Sequence, residues 1–98
     1  MPTVKFIVET EATIKRVEIE EHHQFTPVNM VNNVGTRNLA QGFDADAILY
    51  LQGTQGQTAK FKIVQVMDGV QVPLAERNFI KISSQNGRST SSVGFVVQ

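Results

Sequence analysis

Apolar residues recur at every second position through most of this chain, and a period of two suits β-strands and little else. Val4, Phe6 and Val8 alternate with Thr3, Lys5 and Glu9, interrupted only by Ile7. Phe43, Ala45, Ala47, Leu49 and Leu51 hold the odd positions of a longer run, which gains a second apolar face at Ile48 and Tyr50 and so reads as the central strand. Ala59, Phe61 and Ile63 alternate with Lys60 and Lys62, and two-sided character returns at Val64 and Val66. Between the first two runs, Ile14 has one parity and Val17 and Ile19 the other. A strand there has to flip its inward face near Lys15 and Arg16, as a β-bulge does.

Turn chemistry separates these runs. Asp68-Gly69 and Asn86-Gly87 are dipeptides in which both residues tolerate positive φ, and each is flanked by apolar alternation, so both predict type I′ hairpins. Pro73 cannot donate to a ladder, which assigns residues 70–75 to an edge strand or a kinked crossing. Gly53-Thr54-Gln55-Gly56-Gln57 reads as a flexible loop. Its glycines lack the lysine, the hydroxyl residue and the following helix of a phosphate-binding loop.

Residues 22–42 depart from the pattern. Thr26, Pro27 and Gly35 punctuate residues 26–35 like one short helix with a cap, a first-turn proline and a glycine stop. Asn29, Asn32, Asn33 and the valines between them are poor helix formers, which favours an irregular or extended connection. Phe25, Val28, Met30, Val31, Val34 and Leu39 give this segment more apolar side chains than a solvated loop needs. Two uses fit them: a cap over the open end of the core, or an exposed patch for a partner or for self-association.

The count is about six or seven strands in a single domain over 1–98, the pattern of an antiparallel all-β sandwich of immunoglobulin-like or fibronectin-like kind. With no Cys and no Trp, the antibody-type hallmark is missing, and no true immunoglobulin family is implied. The expected core is Val4, Phe6, Val8, Ile14, Leu49, Leu51, Phe61, Ile63, Ile82, Val93 and Phe95, and Phe79 reads as core too.

Composition removes several chemistries. The absence of Cys excludes disulfide scaffolds, thiolate metal sites and thiol nucleophiles. Nine basic side chains balance nine acidic ones, so the basic surplus that nucleic-acid binders use against phosphates is missing. Lys60, Lys62, Lys81 and Arg88 allow a local basic stripe, but only Tyr50 and Phe79 could supply the interleaved aromatics. Acidic residues gather in 1–21 and basic ones in 60–98, an asymmetry that predicts oppositely charged faces and is compatible with homo-oligomers. No apolar run approaches the roughly 18–20 residues of a membrane-spanning helix, and MPTVKFIVET lacks the segments of a signal peptide. A chain low in Lys and Glu and rich in Ser, Thr, Asn and Gln leans towards an extracellular or particle-surface setting.

Candidate chemistry is sparse. His22 and His23 follow Glu20 and Glu21, but neighbours on an extended chain point to opposite faces, so the two imidazoles could hardly share an ion. Asp44 and Asp46 share one face of the central strand about 6–7 Å apart by strand geometry. They are the candidate metal ligands, although calcium needs roughly six to eight oxygens and hence further recruits. The expected function is therefore non-catalytic: a binding or structural module without cofactor, presenting loops or a sheet face to a protein or glycan. Phe25, Met30, Val31 and Gln55 are its candidate contact residues. A small metal-dependent or acid–base enzyme using His22, His23, Asp44 and Asp46 is the alternative.

Overall fold

The computed structural model describes residues 1–98, and the alternating segments become strands in two antiparallel sheets packed face to face. In chain order these are β1 (Thr3–Thr10), β2 (Thr13–Glu21), β3 (Gln24–Val28), β4 (Met30–Val31), β5 (Val34–Asn38), β6 (Asp44–Gln52), β7 (Thr58–Met67), β8 (Val70–Lys81) and β9 (Arg88–Val96). The larger sheet runs β4-β5-β1-β7-β8 and the smaller β3-β2-β6-β9. The antiparallel sandwich is as expected, but it has nine strands rather than six or seven and no helix.

Parity decides which side chains meet between the sheets. Val4, Phe6 and Val8 of β1 are buried opposite Phe61 and Ile63 of β7, while Ala45, Ala47, Leu49 and Leu51 of β6 are buried from the other side. Phe6 meets Phe95 of the facing sheet edge to face at 5.7 Å, the arrangement that ring quadrupoles favour. Of the expected core, Ile14 and Val93 are only partly buried, although both pack against it. The register of β2 on β6 shifts between Ile14 and Arg16, so the bulge lies where the parity flip demanded it.

The largest correction concerns residues 22–42, which hold three strands rather than a long flexible connection or a helix over 26–35. His22 and His23 both have positive φ (51° and 64°), as do Asn32 and Asn33 (52° and 66°), so each pair closes a two-residue hairpin in the type I′ manner. Neither pair contains the glycine that makes such turns legible. Between them the chain leaves β3 through Asn29 and enters β4, passing from the small sheet to the large one. Gly35 is not a helix stop. A Cβ there would run into Val28 Cγ1 and lie 2.7 Å from Met30 Sδ, so glycine is what lets the crossing pack down.

Two further turns behave differently from each other. Asp68-Gly69 is the expected hairpin, with φ of 52° and 78° joining β7 to β8. At Asn86-Gly87 only Gly87 has positive φ, and β8 and β9 belong to different sheets, so this segment is a crossing and not a hairpin. Pro73 lies on the edge strand β8, as its chemistry requires, beside an irregularity between Ile63 and Val64 of β7. The 53–57 loop is held in place: Thr54 N–H donates to Gln57 Oε1 at 2.9 Å, Gly56 N–H to Ile82 O at 2.8 Å, and Gln55 Nε2 to Ser83 O at 2.9 Å.

Gln65 is the one buried polar side chain, at an inward position of β7. Its amide donates to Gln98 O at 2.6 Å and accepts from Gln98 N–H at 2.9 Å, copying one rung of a ladder and leaving no orphan atom in the core.

Candidate functional site

A broad, open cleft of about 850 Å³ lies where the start of β7 and the end of β8 meet the β1–β2 turn. Its origin is a local defect in the ladder. Ala59 pairs with Ile80 but Phe61 with Arg77, so Asn78 and Phe79 together oppose Lys60. Such a bulge re-aims side chains. Phe79 emerges 70% exposed, the most exposed aromatic ring in the molecule. The expectation that Phe79 is core is therefore wrong. Ile80 and Ile82 are buried on the other parity, which obliges Phe79 to face away. That signal was present in the sequence.

Around Phe79 the lining is polar. Gln55 and Gln57 enter from the tethered loop, Thr10 from the end of β1, Glu11 from the β1–β2 turn, and Asn78 from the bulge itself. The Thr10 hydroxyl donates to Thr58 O at 2.9 Å and accepts from Ala12 N–H at 3.0 Å, which ties the β1–β2 turn to the start of β7. Both walls are thus pinned to the sheet. The cleft combines a rigid apolar face with amide, hydroxyl and carboxylate groups at its rim.

The contact residues expected from sequence do not form one patch. Phe25 is exposed on the outer face of the small sheet, paired with Glu20. Val31 is exposed at the rim of the large sheet, paired with Val34. Met30, between them in the chain, packs against the core, as do the buried Val28 and Leu39. Segment 22–42 therefore supplies core from Val28, Met30 and Leu39 and exposed apolar surface from Phe25 and Val31. Gln55 alone of the four lines the Phe79 cleft.

The candidate metal residues come to one end of the small sheet without completing a site. Asp44 and Asp46 are exposed on the outer face of β6, and Asp46 pairs directly with Glu20 of β2. His22 and His23 occupy the β2–β3 turn, where both are exposed. No three such side chains are arranged to hold an ion. Charge on this face is structured instead by Arg16, whose guanidinium lies 3.8 Å from the centre of the Tyr50 ring and 3.3 Å from the Glu18 carboxylate. The hydrogen bond to Glu18 raises the pKa of Arg16 above its ordinary value, with Tyr50 acting in the same direction.

The anticipated basic stripe divides between sheets. Lys60, Lys62 and Lys81 stand on β7 and β8, whereas Arg88 begins β9 on the other sheet. Lys62 is drawn to Glu9 at 4.0 Å. No family model, curated protein or solved structure matches the chain.

Proposed function

We propose that the protein is a non-catalytic binding module that holds a glycan in the cleft around Phe79. The observation that carries this reading is an apolar ring set out in solvent on a β-bulge and surrounded by hydrogen-bonding groups. A sugar ring has the complementary surface: C–H bonds on one face, which suit the negative face of an aromatic ring, and hydroxyls at its edge. Gln55, Gln57 and Asn78 offer both donors and acceptors to such hydroxyls, and Glu11 offers acceptors. A cleft of this size is in the range of small-ligand sites. The immunoglobulin-like or fibronectin-like description of the scaffold belongs to the same proposal, supported by the two packed sheets with loops at either end. So does an extracellular or particle-surface setting, supported by composition.

Titration of cellohexaose, chitohexaose and xylohexaose into isotopically labelled protein, followed by amide chemical shifts, tests the reading. Shifts confined to Thr10, Glu11, Gln55, Gln57, Asn78 and Phe79 are expected with at least one of these, and Phe79→Ala should abolish them while the rest of the spectrum is retained. An unchanged spectrum with all three at millimolar concentration sinks the glycan reading. Shifts that survive Phe79→Ala displace the site.

A further inference from the structure

We propose that β9 is a docking edge for a second copy of this chain, joined antiparallel across a two-fold axis. The backbone of β9 shows which groups are free. Val97 N–H donates to Phe43 O at 2.9 Å and Gly53 N–H to Gly87 O at 2.8 Å, so odd residues at the β9 side of this ladder turn their amides towards β6. Amide direction alternates along an antiparallel pair, and the even residues Thr90, Ser92, Gly94 and Val96 therefore turn theirs outward. Ser92 O confirms the direction, since Arg77 Nη1 reaches it from outside the small sheet at 3.1 Å. A carbonyl has two lone pairs, so that bond leaves room for another donor.

Unpaired strand edges usually carry a protective device. Three of the four edges here have one. β3 contains Pro27, which has no N–H to offer a neighbour. β4 is two residues long. β8 contains Pro73 and two irregularities in its pairing. β9 has nine residues, no proline, no break in register, and a single charged side chain, Arg88, at its start.

Charge identifies the occupant. The two ion pairs of the molecule, Arg16–Glu18 and Lys62–Glu9, leave both Arg88 and Asp44 unpartnered. Both are on the outer face of the small sheet, but at opposite ends of β9: Arg88 opens the strand, and Asp44 pairs with Val96 near its close. Only an antiparallel neighbour brings the two ends together. If Val93 meets its symmetry mate on the axis, Ser92 pairs with Gly94 of the second copy and Thr90 with Val96, which uses every outward amide. Arg88 of each chain then lies two strand spacings across and two residues along from the other chain's Asp44, about 12 Å between backbones, a gap that the long arginine and the carboxylate can together close. Val93 adds an apolar contact on the axis, where directly opposed side chains are about 5 Å apart.

Sedimentation equilibrium of the full chain from micromolar to millimolar concentration tests this. A monomer–dimer equilibrium is expected. Ser92→Pro should leave the monomer folded, because its N–H faces away from β6 just as the proline on β3 faces away from β2, and should abolish dimerisation. Arg88→Asp and Asp44→Arg should each weaken the dimer roughly tenfold or more, about 1.4 kcal/mol, and the double variant should restore it. A chain that stays monomeric throughout overturns the proposal, as does a folded Ser92→Pro variant that still dimerises. Should Ser92→Pro fail to fold, the charge exchange decides alone: restoration supports the interface, and a double variant as weak as the singles overturns it.

Discussion

The two flanks of the sandwich use the same side-chain clasp and differ in what stands behind it. On one flank Arg37 of β5 donates to Pro27 O of β3, and on the other Arg77 of β8 donates to Ser92 O of β9, both at 3.1 Å. Each arginine pairs with a buried core residue, Val4 or Phe61, and reaches from the large sheet to the edge of the small one. Behind Arg37 the chain itself crosses between the sheets at Asn29, with Val28 and Met30 packed over Gly35. Behind Arg77 no crossing occurs until the 82–87 segment at the end of the strands. A covalent crossing holds its flank shut without regard to solvent. An exposed hydrogen bond is a weaker restraint, worth about 1 kcal/mol or less when it stands alone.

Breaking each flank at its tightest point should produce the largest effects. Gly87 anchors the crossing that feeds β9, and a side chain there meets both a positive φ of 76° and the Gly53 carbonyl oxygen, a backbone atom that cannot step aside. Gly87→Val is expected to cost about 3 kcal/mol or more in urea denaturation, combining strain with overpacking. An unchanged midpoint would mean that the close approach to Gly53 is absent. On the opposite flank the Cβ of Gly35→Ala meets chiefly the Val28 and Met30 side chains, with the Asn29 carbonyl oxygen further off at 3.2 Å, and because Met30 is flexible a loss of about 1–3 kcal/mol is expected. If Gly35→Ala proved the more damaging of the two, the ranking of backbone over side-chain collision would be reversed.

Smaller changes sharpen the contrast. His22 and His23 hold positive φ at the turn into β3, a conformation that costs non-glycine residues roughly 1–2 kcal/mol. Replacing the pair by Asn-Gly should therefore stabilise the protein by about 1 kcal/mol, read as a higher thermal midpoint. No gain would show that the histidines make compensating contacts. The smallest effects belong to the clasps. Arg37→Ala and Arg77→Ala should each lower global stability by about 0.5–1 kcal/mol, but amide exchange should separate them. Exchange in β9 should accelerate in Arg77→Ala, whereas β3, tied by its chain crossing, should change little in Arg37→Ala. Equal acceleration on both flanks would remove the distinction.

Much of the fold was legible because strand parity is a local property. Val4, Phe6 and Val8 declare one face, the Ile14-to-Val17 change declares a bulge, and Pro73 declares an edge, each from a few adjacent residues. Phe79 was legible in principle by the parity of Ile80 and Ile82, and that makes the rim of the cleft a feature that sequence reasoning could have found. Segment 22–42 was not. His-His does not announce a tight turn, and Asn-Asn, although asparagine tolerates positive φ, lacks the glycine that marks the commoner two-residue turns. Gly35 illustrates the same limit: its role depends on Val28 and Met30 folding back over it.

Alternation, turn residues and composition were enough to determine an antiparallel sandwich, most of its core and the absence of thiol chemistry, because burial of one strand face follows from side-chain spacing alone. Tertiary structure decided which strand sits at which edge, that Gln65 is satisfied by Gln98 thirty-three residues away, that the two arginines bridge opposite flanks, and that Arg88 and Asp44 remain unpaired. Those outcomes depend on contacts between segments distant in the chain. Parity says which way a residue faces and carries no information about which strand lies beside it.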